Sequence, residues 1–267
     1  MLRIASYNTR YGNADDGENS WEFRRQLFYR SVVVLNPDIL SLQELVEFQK
    51  HELLEGLKGQ GLNYEYVGRA RGHQPWDGEY SAIMFKPDIF RLLDSSTFWY
   101  SDTPDTPGNP TWDSALPRVC TWAVLKRLGS DTAPPIVIYN SHFDLSVISR
   151  SKSFPLLLSR IATNGHDQEP CLLITGDFNV ESHAEFSPLT NAGFVDTYDM
   201  KNTNATPAER STFHNFTGRQ NPRQPKIDAI FIRPDKGLTV TDAGIDRYHE
   251  VGRYPSDHFA VYASLDV

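Results

Sequence analysis

Polar and charged side chains recur where apolar stretches of this chain end, at positions where a strand would finish. Charged side chains are rarely buried unless they are paired or bind a metal, so the repetition indicates a common site. In α/β sheets, ligands collect where strand ends meet. The residues at these ends are Asn8, Gln43-Glu44, Asn140-Ser141-His142, Asp177-Phe178-Asn179, Asp228 and Asp257-His258.

Brought together, these ends would offer the carboxylates of Glu44, Asp177 and Asp257, along with carboxamides and imidazoles. Oxygen-rich sets of this kind suit a hard cation, whereas zinc prefers closed sets of histidine and cysteine. One or two carboxylates that hold a hydrated ion, with substrate phosphate completing its shell, are the usual arrangement. We therefore expect Mg²⁺ or Mn²⁺ as the cofactor.

A carboxylate–imidazole pair is the second chemical feature. His258 follows Asp257 directly, and Asp228 lies on what reads as a neighbouring strand. A carboxylate that accepts a hydrogen bond from an imidazole fixes the tautomer of the imidazole and raises the pKa of the ring. The protonated imidazole is then favoured beside a phosphate. Together with a metal, these groups suit the displacement of a phosphate ester by water.

The elements that must position these groups alternate between strand and helix patterns. Strand patterns crowd residues 64–125, which favours mixed sheets with flanking helices over a simple parallel fold. Segments 101–117 and 200–224 are predicted to be loops, and no linker divides the chain, so we expect a single domain over 1–267. The predicted helices are 21–35, 45–57, 150–163 and 184–191. The predicted strands are 2–8, 38–43, 64–67, 81–85, 90–93, 119–125, 136–140, 171–175, 226–232 and 258–265.

The composition excludes several classes of protein. With 267 residues, 39% of them hydrophobic, the chain can form a large core without disulfides, which excludes a disordered regulator or a mini-protein. It has no apolar run long enough to span a membrane, and we expect no membrane insertion and a monomer. Because no leader precedes the first strand pattern, an intracellular location is favoured. Cys120 and Cys171 are expected to be reduced thiols in the core.

The strand-end motifs resemble those of the endonuclease/exonuclease/phosphatase superfamily, particularly a poorly characterised microbial and fungal branch. Gly176-Asp177-Phe178-Asn179 followed by Ser256-Asp257-His258 is the specific part of the resemblance, which runs from residue 8 to residue 258. It implies a four-layer α/β/β/α sandwich with DNase-like, mainly antiparallel sheets. It also implies a metal-dependent phosphoric ester hydrolase.

The resemblance further implies a role for each motif residue. Asn8 and Glu44 would bind the metal, and Asp257 would join them directly or through water. Asp177 would orient or deprotonate the attacking water, while Asn179 would bind the phosphate. His142 would stabilise phosphoryl oxygens or assist the leaving group. Asp228 would hold His258, which would bind the phosphate or act as a base.

Each of these residues also has a structural interpretation. Asn8 could form a turn, Glu44 could favour the start of the next helix, and Asp177 with Asn179 could form an Asx-turn. Two residues outside the motifs are candidate substrate contacts. Arg118, at a strand end after a loop, could clamp a phosphate, and Trp112 could either stack on substrate or pack.

The substrate remains open between alternatives. A low-specificity nuclease is the leading hypothesis, with DNA favoured over RNA. A phosphatase or phosphodiesterase of small phosphorylated metabolites or inositol phosphates is the alternative, and a binding module without catalysis is disfavoured because no motif position is lost. The formal net charge of −8 gives no broad basic face, so long nucleic acid should bind weakly.

Overall fold

The computed structural model describes residues 1–130 and 132–267. Its described strands are β1 (Leu2–Asn8), β2 (Ile39–Leu45), β3 (Glu65–Val67), β4 (Tyr80–Phe85), β5 (Phe90–Trp99), β6 (Val119–Arg127), β7 (Ile136–His142), β8 (Cys171–Asp177), β9 (Val195–Asp196), β10 (Asp228–Ile232), β11 (Thr239–Asp246) and β12 (Ala260–Asp266). The described α-helices are α1 (Trp21–Leu35), α2 (Glu47–Gly59), α3 (Val147–Thr163), α4 (Ser187–Asn191) and α5 (Thr197–Lys201).

The strands form two six-stranded mixed sheets. The first sheet has the order β11-β12-β1-β2-β4-β3, and the second has the order β5-β6-β7-β8-β10-β9. One strand pair in each sheet is parallel, β1 with β2 and β7 with β8. This architecture confirms the α/β sandwich and the mixed sheets that the strand-rich middle of the chain predicts.

Three apolar cores separate the layers. The central core lies between the sheets and includes Leu2, Ile39 and Leu173. A second core joins the first sheet to the helices α1 and α2, while a third joins the second sheet to α3 and α4. The central strands therefore alternate between two buried faces, which explains why their polar residues stand out.

The inner faces of the strands become polar towards one end of the sandwich. In β1, Leu2 and Ile4 belong to the central core, whereas Asn8 continues the same face at the strand end. In β8, Cys171 and Leu173 are followed on that face by Asp177. Because residues two apart share a face, the alternation that builds the core also aims these side chains between the sheets.

Side-chain hydrogen bonds join the two sheets directly below these polar ends. Gln43 Nε2 donates to Asn140 Oδ1 at 2.7 Å, and Thr175 Oγ1 donates to Ser41 Oγ at 2.8 Å. Asn140 Nδ2 also donates to the backbone oxygens of Leu42 and Ala82 at 2.9 and 2.8 Å. Buried hydrogen bonds between the sheets favour one arrangement of the layers and hence one relative position of the strand ends.

Two further expectations concern the core and the membrane. Cys120 and Cys171 are free and buried, which confirms two thiols in the core. Within residues 1–130 and 132–267, no helix is long and apolar enough to cross a membrane.

Candidate active site

A cavity of about 620 Å³ opens at the polar end of the sandwich, between the two sheets. Asn8 and Asp228 lie directly behind its lining and are fully buried. Trp112 is not among the described residues that line it. The lining contains the following residues singled out from the sequence: Glu44, Arg118, His142, Asp177, Asn179, Asp257 and His258.

Asn8 connects the acidic residues of the two sheets. Its Nδ2 donates to Glu44 Oε1 at 3.0 Å and to Asp177 Oδ2 at 2.9 Å. Its Oδ1 accepts from the backbone N–H of Arg10 at 2.9 Å, so the orientation of the amide is fixed. The side chain therefore holds two carboxylates close together with its nitrogen, while its oxygen is already engaged.

A β-bulge aims Glu44 into the cavity. Leu42 pairs with Ala82 and Leu45 with Tyr80, so Gln43 and Glu44 together oppose one residue of β4. Glu44 adopts a left-handed backbone conformation with φ of 58°, which is unfavourable for a side chain of this kind. Bulges of this type re-aim side chains next to active sites. The bulge explains how Gln43 can face the inter-sheet network while the neighbouring Glu44 reaches the site.

A tight turn after β8 presents Asp177 and Asn179. Asp177 Oδ1 accepts from the backbone N–H of Asn179 at 3.1 Å, which is the Asx-turn that the sequence allowed as an alternative. The turn leaves Asp177 Oδ2 directed at Asn8, so the structural and the chemical interpretations hold together. A Cβ on Gly176 would lie 2.3 Å from the backbone oxygen of Ser141, so the close approach of β7 and β8 requires glycine there.

His258 and Asp228 form the expected carboxylate–imidazole pair. The distance from His258 Nδ1 to Asp228 Oδ2 is 2.9 Å, and both side chains are buried. Burial alone would lower the pKa of His258, but the carboxylates of Asp228 and Asp177 outweigh it and raise this pKa well above its usual range. Its Nε2 lies 3.8 Å from Asp177 Oδ2, and both residues line the cavity. The carboxylates around His258 therefore favour its protonated form.

His142 has the opposite electrostatic environment. Burial lowers its pKa well below the usual range, and the guanidinium groups of Arg118 and Arg71 lower it further. The Nε2 atom lies 3.1 Å from Asn179 Nδ2 and 3.7 Å from Asp177 Oδ2. The pKa values of the two imidazoles on either side of Asp177 are thus shifted in opposite directions, and groups separated in this way can take different roles in proton transfer.

The donor set fits a divalent cation. One ligand atom each from Glu44, His142 and Asp177 lies within 4.8 Å of the others. Burial and the neighbouring Asp228 raise the pKa of Asp177 to about 7, and burial also raises the pKa of Asp257. A divalent ion would relieve this crowding of buried carboxylates.

The metal ligands predicted from the sequence, Asn8, Glu44 and Asp257, share only Glu44 with this group of three. Glu44 belongs to it, but the oxygen of Asn8 is occupied by the Arg10 backbone. Asp257 also lines the cavity, and its Oδ2 lies 3.8 Å from Arg10 Nε. The set of Asn8, Glu44 and Asp257 therefore stays a prediction, with Glu44 the member best placed to bind a metal.

Arg118 and Trp112 differ in their relation to the cavity. Arg118 lines it, with Nη1 3.2 Å from His142 Nδ1, and its Nε donates to Asp144 Oδ2 at 3.0 Å. Trp112 packs against the outer core of the second sheet and donates through Nε1 to Asp102 at 2.8 Å. Packing is therefore the interpretation that the contacts of Trp112 favour.

Two lining residues, Arg71 and Glu79, did not emerge from the sequence. They face each other across the hairpin that precedes β4, and Arg71 Nη2 lies 2.7 Å from Glu79 Oε1. The sequence offered one weak signal for them, since Glu79 directly precedes a strand whose residues are otherwise apolar or small. His214 did not emerge from the sequence either; it is buried, and its ring stacks on that of Phe259 with the ring centroids 3.9 Å apart.

Comparisons with known proteins agree with this geometry. Residues 5–258 match the model of the Endonuclease/Exonuclease/phosphatase family. The mannosyl-6-phosphatase of Bacteroides thetaiotaomicron VPI-5482 is 30% identical, with a TM-score of 0.86 over 100% of both chains. An endonuclease/exonuclease/phosphatase from Bacteroides vulgatus is 29% identical, with a TM-score of 0.85 over 100% of this chain and 98% of that chain.

Among curated relatives, protein L388 of Acanthamoeba polyphaga mimivirus is 31% identical over 180 residues. The match covers 65% of this chain and 65% of the length of L388.

The chain belongs to the endonuclease/exonuclease/phosphatase family, as the strand-end motifs indicated. It is accordingly an enzyme that hydrolyses phosphoester bonds, in a family whose members generally use divalent metal ions.

Proposed function

We propose that the protein is a divalent-metal-dependent phosphatase of small phosphate esters. The observation that carries the proposal is the charge pairing within the cavity. Three of the four arginines of its lining are matched by carboxylates: Arg10 with Asp16, Arg71 with Glu79, and Arg118 with Asp144; the fourth, Arg223, is exposed.

Nucleic-acid binding depends on cationic groups that neutralise a row of phosphates and displace their counterions. Arginines already paired with carboxylates have little free charge for that purpose. The cavity, at about 620 Å³, also has the size of a small-molecule site. The proposal therefore takes the small-molecule phosphatase, the alternative that the sequence left open, over the leading hypothesis of a nuclease.

Structural similarity to a known phosphatase also supports a phosphatase function. The Bacteroides mannosyl-6-phosphatase matches this chain over its full length, and its name describes a phosphatase. Shared fold alone does not transfer a substrate, so the cavity remains the main support.

The metal would be held chiefly by Glu44, with Asp257 facing the same cavity. When bound, it supplies positive charge that polarises a phosphoryl oxygen. The amide of Asn8 keeps the carboxylates of Glu44 and Asp177 in their relative positions through its two hydrogen bonds.

The remaining groups divide the work of proton transfer and charge stabilisation. Asp177, with a pKa of about 7, is suited to accept a proton from the attacking water at neutral pH. The imidazolium of His258 and the amide of Asn179 would stabilise charge on the phosphoryl oxygens. The ring of His142, whose pKa is lowered by burial, lies between these groups and the Arg71–Glu79 pair, on the side where the leaving alcohol would sit.

A substrate panel tests this function. p-Nitrophenyl phosphate, hexose phosphates, plasmid DNA, single-stranded DNA and RNA would each be incubated with Mg²⁺, Mn²⁺ or EDTA. We expect hydrolysis of the monoesters with metal and none with EDTA. Cleavage of nucleic acid without hydrolysis of any monoester would overturn the proposal.

Matched histidine variants connect the activity to this site. His258→Asn should lower kcat on the monoesters by about a hundredfold or more, the range typical for groups that transfer protons or stabilise charge. His249→Asn, a change at an exposed ring, serves as the control and should leave kcat unchanged. If both variants have the same kcat, His258 takes no part in catalysis.

A further inference from the structure

The Arg71–Glu79 pair is built into a hairpin that holds both side chains at the cavity. The backbone N–H of Arg71 donates to the Glu79 oxygen at 2.9 Å, and Trp99 Nε1 donates to the Arg71 oxygen at 2.7 Å. The next residue, Tyr80, receives a hydrogen bond from Lys50 Nζ at 3.3 Å. These contacts fix the hairpin from both sides, so the pair is positioned before any ligand arrives.

The pair keeps hydrogen-bonding capacity that the described residues do not use. Glu79 Oε1 accepts from Arg71, but Glu79 Oε2 receives no hydrogen bond within residues 1–130 and 132–267, and His142 Nδ1 lies 3.8 Å from it. Arg71 Nη1 is also without a partner in the described part of the chain. Both side chains are mostly buried, with 11% and 13% of their surfaces exposed. Unused polar atoms in a cavity wall are costly unless a ligand or water satisfies them.

The position of the pair relates it to the leaving group. His142 Nε2 faces Asp177 and Asn179, which we assign to water activation and phosphate binding, whereas Nδ1 on the other edge of the ring faces Glu79. The pair is thus one imidazole ring away from the hydrolytic groups. That is where the alcohol attached to a bound phosphate would extend.

The charged pairs on this side of the cavity favour some alcohols over others as the leaving part of the substrate. Arg71 is neutralised by Glu79, and the adjacent Arg118 is neutralised by Asp144. A second phosphate placed here would face the carboxylate of Glu79, and such like-charge contacts are costly. Neighbouring hydroxyl groups, in contrast, can donate to the carboxylate and accept from the guanidinium.

We infer that Arg71 and Glu79 form the subsite for the alcohol part of the substrate, and that this alcohol carries neighbouring hydroxyl groups and no second anionic group. This inference rests on the proposed phosphatase function. It narrows the substrate class to monophosphates of polyols or sugars. In the reaction, water forms the new bond to phosphorus, the bond from phosphorus to the alcohol oxygen breaks, and the alcohol leaves with a proton.

Two substrates separate this subsite from general catalysis. Mannose 6-phosphate carries neighbouring hydroxyls, whereas p-nitrophenyl phosphate carries none. Glu79→Gln should lower kcat/KM for mannose 6-phosphate about tenfold more than for p-nitrophenyl phosphate, mainly through KM, because only the sugar loses a charge-assisted hydrogen bond. Glu250→Gln, which breaks an Arg–Glu pair with Arg30 at the surface, is the matched control and should change neither value.

The outcomes distinguish the inference from the function beneath it. If the wild-type enzyme hydrolyses both esters and Glu79→Gln lowers both equally, Glu79 acts through His142 and the subsite assignment is wrong. If the wild-type enzyme hydrolyses p-nitrophenyl phosphate but not mannose 6-phosphate, the subsite assignment fails while the phosphatase function stands. If it hydrolyses no monoester, the proposed function itself fails.

A measurement on the unaltered enzyme avoids dependence on a folded variant. Free mannose should inhibit hydrolysis of p-nitrophenyl phosphate competitively, and cyclohexanol at the same concentration should not. Glucose 1,6-bisphosphate should also be a poorer substrate than glucose 6-phosphate, a difference that Glu79→Gln should narrow. Equal inhibition by mannose and cyclohexanol, or a preference for the bisphosphate, would overturn the assignment.

Discussion

Replacing Asp177 by asparagine should stabilise the metal-free protein at alkaline pH while it abolishes hydrolysis. Asp177 is only 1% exposed, and burial together with the Asp228 carboxylate raises its pKa to about 7. In an unfolded chain the value is about 3.9. A carboxyl group whose pKa rises on folding contributes stability while it is protonated, and this contribution is lost as the pH rises through the folded pKa.

The size of this loss of stability follows from the interval between pH 5 and the folded pKa of Asp177, which is about 7. The interval spans two pH units, and each unit is worth about 1.36 kcal/mol of unfolding free energy. The free energy of unfolding of the wild-type protein should therefore fall by about 2.7 kcal/mol relative to that of Asp177→Asn between pH 5 and pH 8. The new amide cannot accept both hydrogen bonds that Asp177 receives from Asn8 and Asn179. That loss is the same at both pH values and cancels in the comparison.

Urea denaturation in EDTA at pH 5 and pH 8, followed by tryptophan fluorescence, measures this difference. Asp235→Asn, at an exposed carboxylate in a surface turn, is the control and should track the wild-type protein at both pH values. The quantity to compare is the unfolding free energy of Asp177→Asn minus that of the wild-type protein. If this difference stays constant or decreases from pH 5 to pH 8, the buried charge is not located on Asp177.

Three further changes test other parts of the site. Asp228→Asn removes the carboxylate that raises the pKa of His258, so kcat should fall about a hundredfold and its alkaline limb should move to lower pH in a pH–rate profile. Gly176→Ala adds a Cβ 2.3 Å from a backbone oxygen, and denaturant titration should show a loss of about 1–3 kcal/mol that Gly59→Ala, with open space, does not share. Glu44→Gln should raise the Mn²⁺ concentration for half-maximal activity about tenfold, since a charged ligand is lost; unchanged activation would exclude Glu44 as a ligand.

The sequence predicted most of the fold because alternation and periodicity are strong in the central strands. It did not predict the edge strand β11, where Thr239 and Asp242 face solvent and a bulge follows Val240, so the apolar alternation is interrupted. The short β9 and α5 also escaped, because elements of 2 and 5 residues carry too few positions for a period to be seen.

The gathering of the motif residues was predictable because the polar positions follow strands that share one end of the sandwich. The way Glu44 reaches the site was not, since a bulge with a left-handed glutamate depends on the pairing with β4. Arg71 and Glu79 escaped for a related reason. They precede a strand rather than follow one, and only the hairpin brings them together at the cavity.

The groups of the site are divided between the two sheets, and this has a consequence for how the enzyme fails. Asn8 and Glu44 belong to the first sheet, whereas His142 and Asp177 belong to the second, with positions far apart along the chain. A small slip of one sheet along the central core would separate them before any helix melts. Turnover should therefore decline earlier than the far-ultraviolet circular dichroism during heating. The activity that remains during heating would thus report the first displacement of the two sheets relative to each other.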